Sequence, residues 1–438
     1  MTKPKETPPP GTAPKPFQLP PADDFVLPNG LRVTIVPYGV MPKVAVRAFI
    51  NAGGICESAS NVWISKLTAL LMKEGTIARS AEEVAGAAAA LGGQVDLGAG
   101  SEFTVAGGLV LSEFGPDFVE VLADVIRHPA LPLSELARLK TDLGRELAVD
   151  RVRPRSLARE RLLRTLYPDH PFGRTYPDEA ALAAYTLGDV RAFYDRNFSA
   201  AGTHVYVAGK IDPKLKQSIM EAFGDWERGE AELREPPVGV AQRSLQLIDR
   251  PGAQQSSLLL GLPVADPTSS DFIALEAMHS MLGGSFASRI VTNIREHKGY
   301  TYSPFSSIGT RRHLARWTFG ADVSTAVTGA SLKEIFYEID LIRKEPPSVQ
   351  ELRGIQDYLA GFFILQNTVS PDAVISQLQF TDSQGLDRSF LSSYVARIMA
   401  LTPQDIQRVA VQYIVPSKMT VVVAGDGAQI EEQLKGVI

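Results

Sequence analysis

The chain is sparing with cysteine: Cys56 stands alone among 438 residues. No intrachain disulfide and no multi-cysteine metal cluster can therefore form. Long apolar runs are missing too, since none reaches the roughly 18–20 residues a membrane-spanning helix needs. Neither sign of charge dominates. With 44 Lys and Arg against 49 Asp and Glu, the formal net charge is -5, which argues against a nucleic-acid binder, because phosphate contacts call for a basic excess or stripe. No phosphate loop or dinucleotide fingerprint opens a helix after a strand, so nucleotide binding has no support. The six histidines, at 128, 170, 204, 279, 297 and 313, show no i, i+4 pairing of the kind that places two imidazoles on one helix face. Met1 to Pro21 lacks the apolar segment of a signal peptide. The expected compartment is the cytoplasm if Met1 is the native start, and the periplasm if a signal peptide was removed ahead of it.

What is present is the composition of a globular protein, 45% hydrophobic and 21% charged, long enough for two or three domains or one duplicated unit. Residues 1–24 are rich in proline and lysine and read as a disordered leader. Pro28-Asn29-Gly30 signals a turn. Leu31 to Val36 and Val44 to Ile50 read as strands, naturally paired as a hairpin. Ser80 and Glu83 fit a capping box, and Gly92-Gly93 stops the alanine-rich helix that follows. Further helical segments span 133–166 and 189–197. A polar stretch around Pro236-Pro237 reads as a linker over 229–242.

One internal echo organises the rest. Thr186-Leu-Gly-Asp189 caps a helix leading into Val205-Tyr-Val-Ala-Gly209, and Thr402-Pro-Gln-Asp405 caps one leading into Val421-Val-Val-Ala-Gly425. Both ends of the motif recur at the same offset of 216 residues. A gap-free repeat near half the chain length predicts duplication, with halves at 25–228 and 243–438 of α+β character.

The resemblance is to the pitrilysin, insulin-degrading and mitochondrial processing peptidase family. Leu27-Pro-Asn-Gly-Leu-Arg-Val33 resembles its first strand, and Asn51-Ala-Gly-Gly-Ile-Cys-Glu57 the glycine turn before its zinc helix. His170-Pro-Phe-Gly173, Phe193-Tyr194 and Val207-Ala-Gly209 are similar to the end of its first domain. Gly283-Gly-Ser-Phe-Ala-Ser-Arg289 and Arg295-Glu-His-Lys-Gly-Tyr-Thr-Tyr302 resemble its most recognisable C-terminal stretch. The resemblance implies two similar tandem domains, each a mainly antiparallel sheet packed with helices, forming half of a clam-shell around an unstructured peptide.

Active members carry H-x-x-E-H on a helix, with imidazoles at i and i+4 as zinc ligands and the carboxylate at i+3 as base. Counted back from Gly75-Thr76, those positions hold Lys66, Ala69 and Leu70, none of which can serve. Glu146 stands where the family's third ligand falls, and by itself reads as a helix-surface carboxylate. The expectation is therefore a chain that binds no cofactor, with zinc carried by a homologous partner subunit in a heterodimer.

Arg295 and Tyr302 match the family's substrate pair, which positions the peptide carbonyl and stabilises the oxyanion from the half opposite the zinc. Forked guanidinium donors and one phenolic donor suit that task. The plain alternative is an arginine paired with a surface carboxylate and a tyrosine in the core. Gly283-Gly284 is a helix C-cap, and in the family a glycine-rich loop facing the chamber. Gln254 to Leu260 reads as a strand, near the substrate in the family. His279 reads as a helix residue with a satisfied hydrogen bond, and Cys56 as a small buried thiol. Two functions compete: a zinc-less subunit of a heterodimeric zinc endopeptidase, and a non-hydrolytic peptide-binding or scaffold protein. A self-contained hydrolase with an unrecognised site is a distant third.

Overall fold

The computed structural model describes residues 14, 17–230 and 236–437. The chain forms two mixed sheets. The first contains β1 (Asp23–Val26), β2 (Arg32–Pro37), β3 (Lys43–Ile50), β4 (Asp96–Ala99), β5 (Thr104–Leu111) and β6 (Thr203–Gly209), in the order β1-β2-β6-β3-β5-β4. The second contains β7 (Ser244–Asp249), β8 (Gln255–Val264), β9 (Phe305–Arg311), β10 (Leu314–Ser324) and β11 (Thr420–Gly425), in the order β7-β11-β8-β10-β9. In each half the last strand inserts in parallel beside an early one: β6 along β2, and β11 along β7. All other pairings are antiparallel.

That insertion corrects the hairpin expected between Leu31–Val36 and Val44–Ile50. β6 separates the two strands, pairing with β2 on one side and β3 on the other. The reason lies in burial. Val33 to Val36 and the whole of β6 are buried, so these strands need partners along both edges.

The repeated motif occupies equivalent places. Helices Leu187–Asn197 and Pro403–Tyr413 each begin with a closed capping box. The Thr186 and Thr402 hydroxyls accept from the amides of Asp189 and Asp405, whose carboxylates accept from the threonine amides in return. Each helix then leads into an interior strand of its sheet, β6 or β11.

One face of each sheet supports its own half's helices. The opposite faces are covered by exchange. Helix Pro154–Leu166 from the first half lies on β8 and β11, where Leu162, Leu163 and Tyr167 meet Leu259, Val422 and Ala424. Helix Pro371–Gln384 from the second half lies on β6, where Val374, Ile375 and Leu378 meet Val36, Ala45, Tyr206 and Ala208. The Tyr206 hydroxyl donates to Asp382 at 2.8 Å, and Arg47 Nε to Asp372 at 2.9 Å. The halves are thus interlocked through buried surface, in addition to the connection around 229–242. Residues 231–235 of that connection lie outside the described residues; beyond them, the amide of Val240 donates to the Leu166 carbonyl at 2.9 Å. Pro154 divides the helical stretch over 133–166 in two, holding Arg153 extended as a residue before proline should be. Among the described residues no helix is long and apolar enough to cross a membrane.

The expected disordered leader over 1–24 also needs correction. Most of residues 1–16 lie outside the described residues, but Phe17 is only 8% exposed and joins the second core. Its ring meets Phe363 edge-on at a centroid distance of 5.8 Å. Aromatic burial outweighs the local preference of a proline-rich segment for solvent. Phe17→Ala is therefore expected to lower unfolding stability by about 3 kcal/mol, the low end for a core phenylalanine. A truncation starting at Phe25 should lose at least as much in urea titration. An unchanged midpoint in both would show that the segment contributes nothing.

Candidate functional site

The stretch from 272 to 302 builds an exposed aromatic and guanidinium cluster. Helix Phe272–His279 loosens into a wider turn over Ser280–Gly284, a departure from α geometry often found at functional sites. Gly284 is required there, because a Cβ would stand 2.4 Å from His279 Nε2. His279 itself shares a hydrogen bond with the Ser306 hydroxyl at 3.1 Å, and burial pushes its imidazole down to about 4. At neutral pH it is an uncharged ring pinning the turn, with no freedom to act as a ligand outside.

The chain emerges at Phe286, 69% exposed. A second widened turn, Thr292–His297, carries Arg295, and Gly299 reverses the backbone at φ +66° so that Tyr302 returns beside it. The Arg295 guanidinium carbon lies 4.4 Å from the Phe286 ring centroid and 5.1 Å from that of Tyr302. Its ion pair is with the neighbouring Glu296, at 3.2 Å. Tyr302 is 82% exposed, while the adjacent Thr301 hydroxyl donates to the Asp322 carbonyl at 2.7 Å and anchors the loop to β10. Aromatic contact costs an arginine none of its donors and narrows its range of positions. The structure thus brings Arg295 and Tyr302 together at the surface and adds Phe286, which sequence reasoning did not single out. Its signal was available, since an aromatic between small residues in Gly283-Gly-Ser-Phe-Ala-Ser-Arg289 has no helical or strand face to pack on.

Glu276, on the helix leading into this loop, is a buried acid of a different kind. The residue is partly exposed, but Oε2 is shielded and without a hydrogen-bond partner. Burial pushes its carboxyl up to about 7, against the pull of the Tyr394 hydroxyl and Arg397. The folded chain therefore favours the protonated acid. Its contribution to stability is full below pH 4.5, the ordinary value, and is lost as pH rises towards 7. Glu276→Gln should flatten the stability profile across that window in denaturant titrations. A profile identical to the parent's would mean that the carboxyl titrates normally.

The degenerate metal positions lie in the first half, on helix Ile64–Met72. Only Lys66 and Leu70 on that helix escape full burial, so they share its open face. Lys66 Nζ lies 2.5 Å from Glu146 Oε1 and 4.5 Å from the Trp63 ring centroid. Ala69 is 2% exposed and belongs to the core. Both charged partners are substantially exposed, so the ion pair contributes only about 0.2–1 kcal/mol. Its chemical consequence is larger, because an ammonium with no lone pair occupies the position of a donor and neutralises the remaining carboxylate. The residues present do not fit a zinc ion, and among the described residues no three His, Cys, Asp or Glu side chains are grouped to hold a metal.

Residues 35–178 match the model of the insulinase family, peptidase family M16, and residues 184–359 match that of the peptidase M16 inactive domain. The chain belongs to peptidase family M16. A Bacillus subtilis relative, named an uncharacterized zinc protease, is 27% identical over 282 residues, covering 64% of this chain and 68% of that protein. One from Rickettsia felis, named likewise, is 24% identical over 352 residues, covering 78% and 84%. A crystal structure of a peptidase M16 inactive domain from Pseudomonas fluorescens superposes with a TM-score of 0.85 at 22% identity, over 92% of this chain and 98% of that one. A Helicobacter pylori protease gives 0.85 at 20%, over 93% and 100%. In this M16 chain the fold is that of the expected α+β half clam-shell, two tandem domains of related topology.

Proposed function

We propose that the chain is the zinc-less subunit of a heterodimeric zinc metalloendopeptidase. It would contribute substrate binding and transition-state stabilisation through Arg295 and Tyr302 to a homologous partner that carries the zinc. One observation carries the reading: an exposed phenol and a half-buried guanidinium held beside it coexist with a first half whose metal donors are replaced by Lys66, Ala69 and Leu70. The exposed Tyr302 hydroxyl has little structural task in its own chain, and with Arg295 beside it suits the backbone carbonyl of an unstructured peptide held in a shared chamber.

The direct experiment is to co-express the chain with an M16 homologue bearing an intact inverted zinc motif, isolate the complex by size exclusion, and assay peptide cleavage. Activity should require both chains and one zinc per pair. If the pair forms and cleaves no faster than the homologue alone, the chain is a non-hydrolytic peptide-binding or scaffold protein.

A further inference from the structure

A recess of about 300 Å³ lies between the two halves, walled by the loop after β4, helix Pro154–Leu166 and the β9–β10 hairpin, with Lys66 at its margin. Four guanidinium groups line it: Arg159, Arg174, Arg311 and Arg316. Their partners are mostly neutral. Arg174 donates to the carbonyls of Glu57 and Asp169 at 3.5 and 3.0 Å. Arg311 donates to the Thr310 carbonyl and the Ser101 hydroxyl at 2.7 and 2.8 Å, and forms a long ion pair with the Glu102 carboxylate at 4.0 Å. Arg159 and Arg316 have no carboxylate at ion-pair distance among the described residues. Burial, with Arg311 and Arg159 alongside, pushes the Arg316 guanidinium below its ordinary value. Beside it sits the Tyr167 hydroxyl, buried and without a hydrogen bond of normal geometry.

The acids nearby are already occupied. Glu57 accepts from the amides of Trp63 and Ser65, both at 3.0 Å, and from the Ser65 hydroxyl at 2.5 Å. Glu102 accepts from the Arg312 amide at 3.0 Å, and Lys66 is held by Glu146. Four like charges in a partly desolvated recess repel one another, and their mostly neutral acceptors offset that only in part. Gly309 faces Arg316 across β9 and β10.

We infer that this recess is a binding site for an oxyanion, a carboxylate or a phosphate, gripped by Arg316 and Arg159. Forked guanidinium donors match either group, and the volume admits a small ligand or the end of a chain but no folded partner. If the oxyanion is the carboxylate of a bound peptide, the inference rests on the peptide-handling function proposed above; if it is free phosphate, it stands alone.

The test is titration calorimetry on the full chain at low salt with three probes: inorganic phosphate, a short peptide with a free C-terminal carboxylate, and the same peptide amidated. Arg159→Gln is the primary variant, since Arg159 is exposed and its loss leaves folding intact. Arg316→Gln is the second, read only after its melting curve matches the parent's. Loss of one charge-assisted contact should weaken binding roughly 10–100-fold, and added salt should weaken it further. Binding of the carboxylate peptide but not its amide, lost in both variants, supports the site with a peptide ligand. Binding of phosphate alone, lost in both variants, supports the oxyanion site and counts against peptide handling here. No binding of any probe, or equal binding by parent and variants, overturns the inference.

Discussion

Tyr302→Phe is expected to reduce peptide hydrolysis by the reconstituted complex about 10²–10³-fold, the usual loss for one donor to a developing oxyanion. Folding and pairing should be unchanged. The ring is solvent-exposed, so removing its hydroxyl leaves no buried polar group unsatisfied. The aromatic face beside Arg295 also survives, which keeps the cation–π contact and isolates the effect of the O–H. Arg295→Ala should act more broadly. It removes a forked donor and leaves Phe286 and Tyr302 without the group between them, so KM should rise while kcat falls. Steady-state kinetics, normalised to folded heterodimer from size exclusion, separates the two terms. Parent-rate hydrolysis by both variants would make the cluster purely structural and leave the scaffold function standing.

The second large effect is a gain. The parent chain, dialysed against a mild chelator, is expected to retain no zinc, and Lys66→His with Leu70→His to retain one per chain. The two positions are one turn apart on the open face of their helix. The reach from residue 66 to Glu146 is already demonstrated by the ion pair. Two imidazoles and that carboxylate make the three-ligand set of a catalytic zinc site. Free zinc at a hundredfold excess over Kd should raise stability by ~2.7 kcal/mol. Peptide hydrolysis should stay absent, because Ala69 supplies no general base. Elemental analysis decides the matter. Zinc retained by the parent would show that the donors have been misassigned. A double variant without zinc would show that the helix and Glu146 do not converge on one ion.

How far each feature was legible depends on whether its cause is local. The capping boxes at Thr186 and Thr402 were, because the hydroxyl and carboxylate that close them lie three residues apart. The break at Pro154 has an equally local cause, a ring that fixes φ and acts on its immediate neighbour, yet the helical reading over 133–166 runs through it. The pairing of β2 with β3 failed for the opposite reason. Its true partner, β6, arrives some 170 residues later in the chain, and nothing in either segment records that insertion. Phe17 was misjudged similarly, since the proline content around it is local and the pocket beside Phe363 is not.

By itself, then, the sequence determined the duplication, the α+β character, the absence of zinc donors at Lys66, Ala69 and Leu70, and the candidacy of Arg295 and Tyr302. Each of these is a matter of residue identity or of spacing along the chain, which the chain carries before it folds. The tertiary structure alone decided that the halves exchange helices Pro154–Leu166 and Pro371–Gln384, that Phe286 flanks Arg295, and that Lys66 closes on Glu146. It also decided that Arg159, Arg174, Arg311 and Arg316, drawn from a helix, a loop and one hairpin, face a common recess. The physical reason is that an arginine's surroundings fix its counter-ions, and those surroundings exist only after two distant sheets have packed against the helices they exchange.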